Sequence, residues 1–176
     1  LKNMLSEKLC KAFNAQINAE LWSAYLYLSM SMDAAARGQK GVANWFKIQF
    51  QEEQAHAEIM MNHVLSRGNE VKLAPIDAVQ TEWKNALEAF KDTLVHEKKV
   101  TSLITALYEL AIEEKDYPAQ NMLKWFIDEQ VEEEESAQEI IDQLDAVEDN
   151  KYGLLMIDKE LATRVYNVPS PLAKGE

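Results

Sequence analysis

The sequence has one cysteine, five glycines and four prolines in 176 residues. Cys10 has no partner for an intramolecular disulfide, and a thiolate zinc site is excluded. So little thiol chemistry fits a reducing cytosol, and a cytoplasmic location is expected. The shortage of glycine and proline argues against a turn-rich β fold and for long uninterrupted helices. No apolar run is long enough to span a bilayer, so no membrane partner is expected. No basic segment followed by an apolar one opens the sequence, so no signal peptide is expected either. Basic residues are scarce: 18 Lys and Arg stand against 30 Asp and Glu, a net charge of -12. That balance argues against nucleic acid as a partner, and a negative potential instead draws in cations.

Hydrophobic residues make up 47% of the chain, enough for a packed core rather than disorder. The length suits one domain that needs no covalent staples. Apolar residues recur at helical spacing in four long stretches. The first spans about 3–36, with Leu9, Phe13, Ala24 and Tyr27 on one face. Arg37 to Gly41 forms a turn, and the second helix spans about 42–67 with Val42, Phe46, Gln49, Met60 and His63 in its stripe. Gly68 is placed to end it. A link of residues 68 to about 80, containing Pro75, leads to a third helix over about 81–115. Its stripe runs Trp83, Leu87, Phe90, Leu94, Thr101, Ile104, Tyr108 and Ala111. Pro118 suits the first turn of a fourth helix that ends near Val147, with Leu123, Phe126, Ala137, Ile140 and Leu144 on one face. A short fifth segment covers about 154–166. The expected fold is all-α: a four-helix bundle of helices ~40–50 Å long. The long link crosses the bundle between helices two and three, and a short C-terminal helix follows. Residues 1–167 form the expected domain, and residues 168–176, with Val168-Pro169-Ser170-Pro171, a flexible tail.

Each of the four stripes is interrupted near its midpoint by residues that ligate metals. They are Glu20; Glu53-x-x-His56; Glu97; and Gln130-x-x-Glu133. A buried carboxylate is costly unless something compensates it. One alone would take up a proton, whereas several at one level can stay ionised around a shared cation. In matched helices these residues fall in one layer, and Glu53 and His56, three apart, share a helix face. Carboxylates with one imidazole and no sulfur suit iron or manganese better than structural zinc. Tyr27, two turns from Glu20, either bonds a ligand, donates an electron or simply packs. His63 and Trp125 read as packing residues, and His96 as a surface or interface residue. Glu52, Glu129 and Glu132 flank the layer, where they are either a solvated acidic face or an outer metal site.

These residues resemble those of bacterial non-haem ferritins. The resemblance covers nearly the whole chain and is carried by Glu20 with Tyr27, the segment Glu52-Glu53-Gln54-Ala55-His56, Glu97, and Asp128-Glu129-Gln130-Val131-Glu132-Glu133. It implies a ferritin-like bundle and a ferroxidase centre. Glu20, Glu53 and His56 would hold a first iron. Glu53, Glu97 and Glu133 would hold a second, with Gln130 adjacent. Glu52, Glu129, Glu132 and Glu133 match a third, inward-side site, and Tyr27 and Trp125 match the aromatics beside the centre. Glu20, Glu53, His56, Glu97 and Tyr27 would carry the catalysis. The resemblance further implies a homo-oligomeric shell of twenty-four subunits that oxidises iron(II) with dioxygen or peroxide and stores a ferric mineral.

Departures narrow the expectation. Bacterioferritins and rubrerythrin-like proteins carry a second Glu-x-x-His where this chain has Gln130-x-x-Glu133. A haem-ligating Met would follow the bridging Glu, and Gln54 stands there, so no haem is expected. Animal ferritins line an iron-uptake channel with two carboxylates early in the fourth helix, where this chain has Gln120 and Leu123. The alternative readings are an oxidase or peroxidase that retains two irons or manganese ions as a cofactor, and a structural bundle without metal.

Overall fold

A computed structural model of the chain describes residues 4–173. Five helices follow in order: α1 (Glu7–Ala36), α2 (Lys40–Ser66), α3 (Ala86–Glu113), α4 (Tyr117–Val147) and α5 (Lys151–Leu161). No strand occurs among the described residues. The four long helices have 30, 27, 28 and 31 residues, or about 40–47 Å each.

Their directions follow from two apolar clusters at opposite ends of the bundle. One gathers Met30 and Ala34 of α1, Val42 and Phe46 of α2, Phe90 of α3 and Leu144 of α4. The other gathers Leu9 and Phe13 of α1, Met60 and Val64 of α2, Ile104 and Ala111 of α3, and Leu123 and Phe126 of α4. Hence α1 and α2 are antiparallel, α3 and α4 are antiparallel, and α2 and α3 run the same way. The link between α2 and α3 must therefore travel the length of the bundle, as its length suggests.

The link is bonded along the outside of α1. Asn14 donates to the Glu70 carbonyl and accepts from the Lys72 amide, and Asn18 donates to the carbonyls of Ala74 and Pro75. Trp22 donates to Ala78 and Ser29 to Gln80. Asn14, Asn18 and Trp22 lie four apart and form one row on the helix.

Helix ends differ from expectation where side chains cap the backbone. The expected start of α1 at Asn3 lies outside the described residues. Its helix begins at Glu7 because the Ser6 hydroxyl accepts from the Leu9 amide. α3 starts five residues later than the periodicity suggests. Asn85 caps it through the Glu88 amide, while Trp83 is buried from the preceding segment and donates to Asp92. α5 is shifted toward the N-terminus because Asn150 caps it through the Gly153 amide. α2 begins at Lys40, which puts Gly41 inside its first turn. A Cβ there would lie 1.6 Å from the Asp158 carbonyl oxygen of α5. Glycine permits that approach. The Asp158 carboxylate in turn accepts from the Val42 amide at 2.9 Å. Beyond α5, residues 164–169 have no regular structure, residues 169–173 close in a turn, and Leu172 lies against the second core cluster. Among the described residues, no helix is long and apolar enough to cross a membrane.

Candidate metal centre

Between the two apolar clusters lies a polar layer. Glu20, Glu53, His56 and Glu97 are each 1% exposed, Gln130 3% and Glu133 6%. All four long helices contribute, because each stripe carries its polar residue at mid-length, where the two halves of the core meet.

The layer holds two overlapping groups. Donor atoms of Glu20, Glu53 and His56 lie within 4.8 Å of one another, and so do those of His56, Glu129 and Glu133. His56 joins them: its Nδ1 is 3.4 Å from Glu53 and 4.0 Å from Glu20, and its Nε2 is 4.0 Å from Glu129. Glu20 Oε2, Glu53 Oε2 and His56 Nε2 are buried without a hydrogen-bond partner. Buried polar atoms are ordinarily paired. Glu20 Oε2 and Glu53 Oε2 face His56 Nδ1 while His56 Nε2 faces Glu129, so the unpartnered atoms line two adjoining groups, and carboxylate and imidazole donors so placed suit a divalent cation.

Glu97 is satisfied differently. The Tyr27 hydroxyl donates to one of its oxygens, and the Gln130 amide donates to the other at 3.2 Å. Gln130 also reaches the Glu97 carbonyl and Thr101 Oγ1, both at 3.3 Å. Tyr27 thus bonds a candidate ligand, and its ring lies near Phe46 and His96. Trp125 meets the His56 ring edge-on at 5.5 Å.

The electrostatics are those of anions held in a dry layer. Burial, then repulsion from neighbouring carboxylates, holds Glu53 and Glu133 well above the usual carboxylate range. Burial raises Glu97 to about 7, against the pull of its bonds from Tyr27 and Gln130. Burial also raises Glu129. Tyr27 is pushed well up, first by burial and then by Glu97. A divalent cation would supply the charge that lets such carboxylates ionise.

Glu52 and Glu129 are half-buried at the edge of the layer, and Glu132 is exposed. Glu52 and Glu132 both lie close enough to Glu129 to push its carboxyl up. The Glu52 carboxylate accepts from Arg164 at 2.6 Å.

Two contributors go beyond the expectation, in which Gln49 figures only as a stripe residue. Gln16 is buried and donates to Glu20 at 2.9 Å, and Gln49 is buried and donates to Glu133 at 2.6 Å. Each stands four residues before a layer glutamate, a spacing that marks them in retrospect. His96, expected at the surface or at an interface, is half-buried at the layer's margin: its Nε2 is 2.7 Å from Ser23 Oγ, and burial lowers it to about 4. His63 packs against Phe13. Leu123 is fully buried, and Gln120 turns back to the Ala111 carbonyl.

A four-helix bundle with a crossover and a carboxylate–histidine layer at mid-length defines the class of ferritin-like carboxylate proteins. Residues 10–147 match the family described as a ferritin-like domain. The chain is 44% identical over 161 residues to a bacterial non-heme ferritin of Bacteroides fragilis strain 638R, covering 92% of this chain and 100% of that protein. It is 37% identical over 164 residues to one from Staphylococcus haemolyticus, covering 93% and 99%. An open pore ferritin from the archaeon Archaeoglobus fulgidus superposes with a TM-score of 0.91 at 45% identity, covering 92% of this chain and 99% of that one. The chain belongs to the ferritin family, and its function is iron storage.

Proposed function

We propose that the chain oxidises iron(II) at the buried layer and passes iron(III) to a mineral inside a shell of many copies, twenty-four by family analogy. The observation that carries this reading is the pair of adjoining donor groups that share His56, with Glu20 Oε2, Glu53 Oε2 and His56 Nε2 all unpartnered, at the centre of an otherwise apolar bundle.

Iron is the substrate here. Glu20, Glu53 and His56 take one iron(II), and Glu97 and Glu133 take another, with Glu53 between them and Gln130 adjacent. Two ions held together each give one electron. Dioxygen takes both to become peroxide, or hydrogen peroxide takes both with two protons to become water. Tyr27 orients Glu97 through its hydroxyl. Glu52, Glu129, Glu132 and Glu133 form the third position, through which oxidised iron leaves.

A site that must release iron(III) should not hold it too tightly. Gln130-x-x-Glu133 supports transit over a retained cofactor, because α4 offers a neutral amide and one carboxylate in place of a second Glu-x-x-His.

The test is stopped-flow oxidation of iron(II) by air. Glu53→Ala and His56→Ala are each expected to slow the fast phase by about a hundredfold. Oxidation of Glu53→Ala at the wild-type rate would contradict the assignment.

A further inference from the structure

The segment after α5 reaches back to the metal layer through one side chain. Arg164 donates to Glu52 Oε2 at 2.6 Å, to Gln49 Oε1 at 3.0 Å and to the Trp45 carbonyl at 3.1 Å. Its guanidinium sits 4.4 Å above the Trp45 ring. The backbone is fixed beside it, since Asn44 donates to the carbonyls of Leu161, Ala162 and Arg164. Gln49 is fully buried and passes its own amide hydrogen to Glu133 at 2.6 Å. Arg164 therefore touches one carboxylate of the third position directly and braces a second through a single glutamine.

We propose that Arg164 is a tethered counter-cation that sets the affinity of the third position. The inference rests on the metal-site reading above. An arginine is charged at every working pH. Its guanidinium bonds Glu52 Oε2 and offsets that carboxylate's charge, so a metal ion gains less from Glu52 and must displace the guanidinium to use both oxygens. Displacement needs only a rotation, because the Trp45 carbonyl and ring can keep the guanidinium after Glu52 is released. The third position is thereby kept weak, which suits a place that iron passes through. The bond to Gln49 meanwhile holds Glu133, which the second and third positions share. Arg164 is a positioning residue and contacts no reacting atom.

The experiment is anaerobic zinc(II) titration calorimetry on the assembled protein, with zinc as a redox-inert divalent probe. Wild type, Arg164→Gln, Arg164→Lys and Glu52→Gln are compared, with circular dichroism to verify folding. Arg164→Gln removes the charge but can still donate to the Trp45 carbonyl. It is expected to tighten the third, weakest binding event about tenfold and to leave the two tighter events within about twofold. Arg164→Lys restores the charge and should return the third event to near its wild-type affinity. Glu52→Gln should abolish it. A third event that is unchanged or weakened in Arg164→Gln, or absent from every protein, overturns the proposal while leaving two tight events in place. Absence of the tight events from wild type would instead strike the metal-site reading, and the proposal with it.

Discussion

Glu97 gives the layer a measurable pH signature before any metal is added. Its carboxyl is buried and rises from the ordinary 4.5 to about 7. Between those values the folded protein holds a proton that the unfolded chain has lost. Stability therefore falls as pH rises through this window, opposite to the behaviour of a salt-bridged carboxylate. A gap of that size corresponds to about 3 kcal/mol, fully expressed by about pH 8. In a domain of this length that is about 10 °C in Tm. The perturbation is Glu97→Gln, which keeps an acceptor for Tyr27 and has no proton to lose. The assay is thermal unfolding of metal-free protein between pH 5 and 8, with gel filtration to hold the assembly state fixed. The two proteins should be close at pH 5, and the variant should be the more stable at pH 8. Zinc(II) should then stabilise wild type increasingly as pH rises, because it binds the ionised carboxylates. Parallel pH profiles for the metal-free proteins, or a variant that loses more stability at high pH, would refute this account of the layer.

Further tests probe what holds the layer in place. Gly41→Ala would drive a Cβ into the Asp158 carbonyl. It should undock α5 at a cost of about 3 kcal/mol, seen as faster proteolysis around residues 148–151 with the helix content of the main bundle kept. Arg67→Ala removes a two-pronged pair to Asp116 at 2.8 and 2.9 Å, where Asp116 also caps α4 through the Ala119 amide. It should cost about 2 kcal/mol at pH 7. Burial pushes Asp116 up, but the Arg67 and Ala119 bonds leave its carboxyl below the usual value of 3.8. The stability contributed by Asp116 is thus present above that pH and lost below it, so denaturation curves of the two proteins should converge in acid.

The stripe and its interruptions were legible in the sequence because both are local. Glu20, Glu53, Glu97 and Glu133 sit where an apolar period demands an apolar residue, and a period needs only one helix to be read. Matching depth then follows from helix length, and the crossover from the length of the link. Contacts across the bundle were not legible. Gln49 sits on its own stripe as any buried glutamine might, and nothing local reveals that its amide meets Glu133, 84 residues away. Arg164 lies 112 residues from Glu52, in a segment whose periodicity reads as helix. That helix ends at Leu161, where Asn44 takes the carbonyls of Leu161 and Ala162, and the Arg164 side chain beyond it turns inward. The same competition misplaced the start of α3. Trp83 is buried as a helical stripe residue would be, but Asn85 bonds the Glu88 amide and sets the boundary two residues after it. His96 lies off the α3 stripe, and only the proximity of α1 brings Ser23 to it.

The most direct test of the central claim is gel filtration of the protein after aerobic loading with iron(II), with particle size and iron per chain read from the same peak. The peak should hold a particle of many subunits carrying far more iron than its ligand positions can hold, and Glu53→Ala should lose that loading. About two irons per chain, unchanged by further iron(II), would contradict storage and indicate a retained cofactor instead.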